Sequence, residues 1–132
     1  PISDQWIPQA LAVSGHSRIE CLEFMEPKIG MECFDGWLKT LNTKVYFISD
    51  NNGFDWQFVN YYFWKFLNKN PFGHSSINLG SLYKGLERDM FKNFKHLRKT
   101  KHTHHPVDDA RGNAEAFLTI QNQFQLKTVK SK

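Results

Sequence analysis

Residues 44–67 contain the pattern that most restricts the fold, a strand, a turn and a long apolar helix in direct succession. Lys44–Ser49 (KVYFIS) is short, apolar and rich in β-forming residues, which is typical of a central strand. Asp50–Gly53 is a cluster of turn-forming residues. Phe54–Leu67 (FDWQFVNYYFWKFL) lacks glycine and proline and is apolar on nearly every face, so at this length it predicts a buried helix. This order of elements indicates an α/β arrangement.

Capping residues and helical spacing predict most of the remaining elements. Ser17, with Glu20 at the reciprocal capping position, favours a short helix that ends at Phe24. Apolar spacing predicts helices over residues 31–41, 81–98 (in two pieces) and 107–124, and a second short strand over residues 77–79. Residues 1–14 are expected to be an irregular connector, and Pro27 and Gly30 to interrupt the chain. The last helix is predicted to bury a stripe of Ala110, Ala114, Phe117, Leu118 and Ile120.

Length and composition describe an ordinary globular domain. The chain has 132 residues, of which 40% are hydrophobic, so it is expected to form one folded domain. No apolar run approaches the ~20 residues that cross a bilayer, and no membrane contact is expected. Cys21 and Cys33 form neither a CxxC motif nor a disulfide framework, which predicts reduced thiols in a cytoplasmic protein. The net charge of +4 fits an anionic partner such as nucleic acid.

The first candidate for chemistry is Asp55, which follows the predicted strand and turn. A carboxylate there is expected at the carboxyl edge of the sheet, where α/β proteins build their sites. The alternative is structural, because an acid at this place also caps a helix and meets its dipole. The neighbouring Phe54 and Trp56 either pack in the core or offer a surface on which a base could stack.

The second candidate is the segment His104–Asp109 (HHPVDD). Pro106 suits the first position of a helix, and acids in a first helical turn are favoured by the dipole without needing a function. His104 could nevertheless take a proton from water at neutral pH. Asp109 precedes the predicted apolar stripe and could face a cleft, whereas Asp108 is expected to point more toward solvent. A divalent cation held by carboxylates would orient and acidify such a water.

Two further interpretations of this region stay open. The histidines at 102, 104 and 105 could bind zinc, although Cys21 and Cys33 are poorly spaced to complete a structural site. Arg98, Lys99 and Lys101 could bind the phosphates of a nucleic acid, whereas most charged runs are only solvated surface. The basic tail, residues 127–132, is expected to be frayed.

Together, two segments resemble motifs of the DEDDh branch of the DnaQ-like (RNase T-like) 3′–5′ exonucleases. Ser49–Asp55 is similar to the second motif of that family, an Asn followed after two residues by Phe-Asp, with Asn51 and Asp55 at the matching positions. His104–Ala110 is similar to the third motif, a His with an Asp five positions later, followed by Ala. The resemblance covers roughly residues 40–124.

The resemblance implies a metal-dependent exonuclease that releases nucleoside 5′-monophosphates from the 3′ end of single-stranded RNA or DNA. It assigns His104 as the general base, and Asp109 and Asp55 as ligands of two Mg²⁺ or Mn²⁺ ions. One ion would polarise the scissile phosphate and orient a water, and the other would stabilise the leaving oxygen. Asn51, Phe54 and the basic residues 98, 99 and 101 are expected to contact the nucleic acid.

The implied fold is ribonuclease H-like, an α/β domain with a mixed sheet flanked by helices on both faces. The first family motif, Asp-x-Glu on the opening strand, does not occur in these 132 residues. Residues 1–132 are therefore expected to be a single domain that forms the C-terminal portion of an exonuclease domain, without its first strands. Alone, this portion should bind metal poorly and cleave little. The exposed sheet edge would need a partner, and a homodimer is one expected arrangement.

Two other functional classes compete with the exonuclease. One is a non-catalytic nucleic-acid-binding module of the same fold, in which salt-sensitive binding would survive substitution of His104 and Asp109. The other is a small metal-binding or interaction domain in which the histidine cluster is structural, and a chelator would unfold it.

Overall fold

The computed structural model describes residues 4–128, which form two compact units. Within this range, the first unit comprises residues 4–47 and 53–76, and the second unit comprises residues 48–52 and 77–128. The first unit contains helices α1 (Pro8–Val13), α2 (Arg18–Glu23), α3 (Pro27–Thr40) and all but the first residue of α4 (Asn52–Leu67). The second unit contains strands β1 (Ile48–Ser49) and β2 (Ile77–Asn78), helices α5 (Leu79–Glu87) and α6 (Pro106–Phe124), and a 3₁₀ turn at Lys95–Leu97. None of the helices described is long and apolar enough to cross a membrane.

Two regions predicted to be irregular are helical, because a proline occupies the first turn of each helix. Pro8 begins α1 and Pro27 begins α3, and the fixed φ of proline suits that position. The prediction of an irregular connector is therefore wrong for residues 8–13, and residues 1–3 lie outside the described residues. Gly30 lies inside α3 and does not interrupt it. The capping box of α2 is confirmed, since the Glu20 N–H donates to Ser17 Oγ at 3.2 Å and the Ser17 N–H donates to Glu20 Oε2 at 2.7 Å.

The sheet within the described residues is smaller than predicted. β1 and β2 pair in parallel, with Ile48 opposite Ile77 and Ser49 opposite Asn78, so the sheet here is parallel rather than mixed. β2 ends at Asn78 because that residue caps α5, its Oδ1 accepting the Ser81 N–H at 2.6 Å. With so short a partner, only the last two residues of the predicted strand Lys44–Ser49 are paired.

The first unit packs around a group of aromatic rings. Phe63 of α4 is fully buried, and its ring lies 5.5 Å from that of Phe34 and 5.8 Å from that of Phe72. Asp35 of α3 accepts a hydrogen bond from Lys69 Nζ at 2.6 Å and pairs with Lys39 Nζ at 2.8 Å. The prediction that α4 is a buried helix is right about the helix and wrong about the burial, because Phe63 is its one buried residue.

The second unit packs around a core shared by β1, α5, α6 and the segment between the last two helices. Its buried residues include Leu79, Tyr83, Phe94, Ala116 and Ile120. The buried face of α6 runs through Gly112, Ala116 and Ile120, which are four residues apart, whereas Ala110, Ala114 and Leu118 are exposed. The predicted stripe of α6 is therefore wrong except at Ile120 and the partly buried Phe117. The error has a physical cause, because the buried face of the helix includes Gly112, a residue that a hydrophobic pattern does not register.

Candidate active site

The segment that precedes α6 packs closely on that helix. A carboxylate of α6 accepts its hydrogen bonds, and a glycine of α6 leaves room for its backbone. Glu115 accepts backbone hydrogen bonds from Lys99 at 2.9 Å and Thr100 at 2.7 Å, and a third from the Thr100 hydroxyl at 3.0 Å. The Thr100 N–H is the strongest cause of a Glu115 pKa below the ordinary value. A Cβ at Gly112 would lie 3.1 Å from the Thr100 carbonyl oxygen, a tight contact, so the close approach of this segment favours glycine.

A cluster of two histidines and one aspartate lies where this segment meets α6. His102 Nδ1 lies 2.7 Å from Asp109 Oδ1, and the rings of His102 and His104 are 4.4 Å apart at an interplanar angle of 65°. One ligating atom from each of His102, His104 and Asp109 lies within 4.8 Å of the other two. Both histidines are exposed, and Asp109 is half-buried. We call these three residues the histidine cluster.

Thr103 and a strained turn set the geometry of the histidine cluster. The Thr103 N–H donates to Asp109 Oδ1 at 3.2 Å, and its hydroxyl donates to Asp108 Oδ2 at 3.0 Å. His104 has φ +65°, a left-handed conformation that costs roughly 1–2 kcal/mol in a residue other than glycine. Asp108 and Asp109 are both half-buried and differ in their partners, so Asp108 does not point toward solvent more than Asp109 does.

The surroundings of Asp109 differ from the predicted apolar stripe. Its neighbour Ala110 is exposed. Asp109 instead lies one turn before Gly112 and Asn113, on the side of α6 that the preceding segment covers. The prediction that Asp109 could face a cleft relied on the apolar stripe, which is wrong, and the half-burial of Asp109 has this other cause.

A polar network joins the end of β1 to α6. Arg98 donates to Asp50 Oδ2 at 2.8 Å and also to Asn113 Oδ1, and Asn113 Nδ2 lies 3.3 Å from Asp50 Oδ1. Partial burial is the largest single influence on Asp50 and raises its pKa. The hydrogen bonds from Asn113 and Arg98, with the charge of Arg98, outweigh it and hold the pKa below the ordinary value. Because the Arg98 side chain is only 5% exposed and already paired, it is not free to bind phosphate, contrary to its predicted role.

The residues of the other predicted motif fall in both units. Asn51 is exposed and belongs to the second unit, whereas Phe54 and Asp55 belong to the first. Asp55 lies in the first turn of α4, inside the helix, so it meets the helix dipole and does not cap the helix. Between residues 4 and 128, no hydrogen bond or ion pair reaches its carboxylate. Phe54 is 55% exposed and contacts Phe58, whereas Trp56 packs against Phe47 and Phe72.

The structure brings His104 and Asp109 together and adds a residue that the motif does not contain. His102 contacts both of them, and no pattern in the sequence distinguished it from its neighbour His105, which lies outside the cluster. Lys99 and Lys101 are exposed, as a phosphate contact would require. The sequence pattern indicates no role for Asp50 beyond the turn. Its partner Arg98 is distant in the sequence, so their pairing leaves no local sequence signal.

Each unit, taken by itself, offers a carboxylate of the kind that binds a hard divalent cation. Asp109 Oδ2 accepts no hydrogen bond from the described residues, and the Asp55 carboxylate is likewise unpaired within them. Carboxylate oxygens are the ligands that Mg²⁺ and Mn²⁺ prefer. The residues present therefore fit such an ion.

Comparison with known proteins identifies the family. The profile of the RNase T exonuclease family matches residues 8–117. The chain is also 30% identical, over 138 aligned positions, to the 3′–5′ DNA exonuclease Cap18 of Escherichia coli, an alignment that covers 96% of this chain and 74% of that protein. The family has a ribonuclease H-like α/β fold and is generally dependent on divalent metals. Both matches support a nuclease function. The chain belongs to the RNase T exonuclease family, a family of DnaQ-like nucleases.

Proposed function

We propose that this chain contains the general base of a 3′–5′ exonuclease. The enzyme hydrolyses single-stranded nucleic acid to nucleoside 5′-monophosphates. The observation that carries the proposal is the contact geometry at the start of α6. There His104 and Asp109, the residues that match the third family motif, lie in one cluster. The nucleic acid would enter with its 3′ end toward this cluster.

His104 is the proposed general base. Its imidazole is exposed, so a water can reach it, and its position is set by the left-handed turn and by the contact with His102. At neutral pH an imidazole can accept a proton from a water that attacks the phosphorus atom. Hydrolysis then breaks the bond from phosphorus to the 3′ oxygen of the preceding nucleotide, and the phosphate stays on the 5′ side of the released nucleotide.

Asp109 and Asp55 are the proposed ligands of two Mg²⁺ or Mn²⁺ ions. When bound, such ions orient the water and stabilise the charge that develops on the phosphate and on the leaving oxygen. Asp109 is held for this role by the N–H of Thr103 at 3.2 Å and by His102 at 2.7 Å, both on Oδ1, so that Oδ2 remains available. The placement of Asp55 in the first turn of α4 leaves its carboxylate without a competing cation from the described residues.

The proposed contacts to nucleic acid are Asn51, Phe54, Lys99 and Lys101. The two lysines are exposed beside the histidine cluster and would bind backbone phosphates as point charges. The exposed ring of Phe54 offers a face on which a terminal base could stack. We leave Arg98 out of this set because its guanidinium donates hydrogen bonds to Asp50 and Asn113.

Single-stranded DNA is the substrate that we propose to test first, because the E. coli relative is named for DNA. RNA remains the second substrate to compare. We further propose that the family's Asp-x-Glu motif is supplied from outside these 132 residues, so that the chain alone cleaves little. The many exposed apolar side chains of the first unit suit a homodimer, and the free thiols of Cys21 and Cys33 suit the cytoplasm.

A trimming assay tests the proposal. The protein expressed from its full coding sequence is incubated with a 5′-labelled single-stranded DNA in Mg²⁺ or Mn²⁺, and products are resolved as a ladder. We expect stepwise loss from the 3′ end, release of nucleoside 5′-monophosphates, and complete inhibition by EDTA. Asp109→Ala should abolish trimming, and His104→Ala should reduce it by roughly 10²–10⁴-fold, the usual contribution of a general base. His105→Ala is the matched control.

The same assay separates the exonuclease from a non-catalytic binding module. Salt-sensitive DNA binding that survives both Asp109→Ala and His104→Ala, without any metal-dependent trimming, would favour the module. Equal loss of activity in His104→Ala and His105→Ala would contradict the assignment of the base.

A further inference from the structure

We propose that the histidine cluster is a transition-metal site in which His102, His104 and Asp109 bind one Zn²⁺ ion. Three facts place their donors around one point. His102 already contacts Asp109 at 2.7 Å, the two imidazole rings are 4.4 Å apart, and one ligating atom of each residue lies within 4.8 Å of the others. Ligands of a tetrahedral zinc are separated by ~3.4 Å, given metal–ligand bonds of ~2.0–2.2 Å. Both histidines are exposed, so their side chains have room to move to that spacing.

The donor set selects the class of metal. Mg²⁺ prefers oxygen ligands in an octahedral arrangement, whereas imidazole suits zinc and its neighbours among the transition metals. Two imidazoles and one carboxylate are also a ligand set of zinc sites that keep a position open to water. His105, the third histidine of the same segment, contributes no donor to the cluster. The site therefore depends on where the fold places His102 and His104, and not only on the number of histidines in the segment.

The site has a consequence that rests on the proposed function. A zinc ion bound here would occupy the imidazole of His104 and the carboxylate of Asp109 together. Neither could then act as general base or as ligand of Mg²⁺, so zinc would inhibit the exonuclease. His102 is the residue that makes this competition specific, because it belongs to the zinc ligands and to neither family motif.

Zinc binding is measured without nucleic acid, by titrating the protein against a chromogenic zinc chelator. The exposed Cys33 and the half-buried Cys21 could also bind zinc, so all variants carry Cys21→Ser and Cys33→Ser. We expect one Zn²⁺ per chain, and a loss of affinity of more than about tenfold in His102→Ala, since even the loss of an outer-shell partner costs that much. His105→Ala, an exposed histidine in the same segment, should bind as tightly as the parent. Circular dichroism confirms that the variants are folded.

Substitution of Co²⁺ for Zn²⁺ provides the spectroscopic readout. A four- or five-coordinate Co²⁺ at the cluster absorbs strongly in the visible range, and His102→Ala should remove this band while His105→Ala retains it. Equal affinity of the two variants, the absence of stoichiometric binding, or a Co²⁺ spectrum that is the same in both would overturn the site.

The failure of this site and the failure of the proposed function are distinguishable. Stoichiometric zinc binding in a protein that never trims DNA would contradict the exonuclease and leave the metal site standing. Metal-dependent trimming that Zn²⁺ does not slow, in a protein that binds Zn²⁺ through His102, would overturn the inhibitory role alone.

Discussion

The second unit buries a continuous core, whereas the first unit leaves most of its large apolar side chains exposed. In the second unit, residues from α5, α6 and the segment between these helices pack together with almost no exposed surface. Among the described residues of the first unit, Phe63 and Leu38 are the buried apolar ones, and Trp37, Phe54 and Trp64 are each more than half exposed. Both units have helices with apolar residues at regular spacing. The difference shows that such spacing predicts a helix more reliably than it predicts what will cover the helix.

The two units also differ in how they hold a charged carboxylate. Asp35 of the first unit pairs with Lys39 and Lys69, whose side chains remain well exposed, so solvent and salt weaken both pairs. Asp50 of the second unit pairs with the buried Arg98. The histidine cluster therefore lies in the unit whose charged pair is better shielded from solvent, next to a segment that hydrogen bonds hold on α6.

The largest effect is expected at the aromatic group of the first unit. Phe63→Ala should reduce the unfolding free energy of that unit by about 3–5 kcal/mol, because Phe63 is fully buried between Phe34 and Phe72. Phe58→Ala on the same helix is the control, and it should cost much less because Phe58 is 44% exposed. Hydrogen exchange read separately for the two units provides the measurement. Equal costs for the two variants would show that the first unit has no such core.

A somewhat smaller loss is expected in the core of the second unit. Ile120→Ala should cost about 2–5 kcal/mol, since the side chain is fully buried against the core of α5 and α6. Leu118→Ala, two residues earlier on α6, should change the unfolding free energy by no more than about 0.5 kcal/mol because Leu118 is exposed. Denaturant unfolding of both variants tests the assignment of the buried face. A larger loss of unfolding free energy in Leu118→Ala than in Ile120→Ala would support the buried stripe that the hydrophobic pattern predicts.

Lowering the pH should reveal what the carboxylates of Asp50 and Asp35 each contribute to the stability of their own unit. The pKa of Asp50 in the folded protein lies below its unfolded value, so its contribution to stability is present above about pH 4 and is lost as the pH falls through the folded pKa. Asp50→Asn should cost roughly 1.5–3 kcal/mol at pH 7, the range for hydrogen bonds to charged groups, and should flatten the acid response of the second unit. Glu115, whose pKa is also lowered, leaves some acid sensitivity in that unit.

Asp35→Asn is the matched variant in the first unit, because the pKa of Asp35 is lowered by its hydrogen bonds with Lys39 and Lys69. It should flatten the acid response of the first unit and leave that of the second unchanged. Hydrogen exchange as a function of pH provides the comparison. An acid response of the second unit that Asp50→Asn does not alter would contradict the network.

The smallest of these effects concerns the contact between α6 and the segment that carries the histidines. Gly112→Ala should cost about 1–3 kcal/mol, because the new Cβ would lie 3.1 Å from the Thr100 carbonyl oxygen and 3.2 Å from Arg98 Cδ. Gly85→Ala in α5, where a Cβ meets nothing within 4 Å, should be neutral or stabilising. Faster exchange of the amides at 99–105 in Gly112→Ala alone would confirm the contact. Equal stability of the two variants would show that the segment is not held there.

Sequence reasoning predicts the family and helices α2, α4 and α6, because each leaves a local signal in motif residues, apolar spacing or capping residues, and it places His104 and Asp109 in one segment. It named His102 among three histidines that could bind zinc and did not distinguish it from His105, because the left-handed conformation of His104 has no signature in the sequence. It misassigned Arg98 because a charge pattern does not distinguish a free guanidinium from one paired with Asp50, far away in the sequence. It misplaced the buried face of α6 because that face includes Gly112, which the preceding segment approaches closely.

The central proposal is that His104 and Asp109 serve one cation-dependent site, and paramagnetic relaxation by Mn²⁺ tests it most directly. In the ¹⁵N-labelled protein, substoichiometric Mn²⁺ should broaden the amide signals of residues 103–110, and Asp109→Asn should remove this effect. Weak binding is sufficient for this measurement. Signals of residues 103–110 that Mn²⁺ leaves sharp, or broadening there that persists in Asp109→Asn, would contradict the proposal.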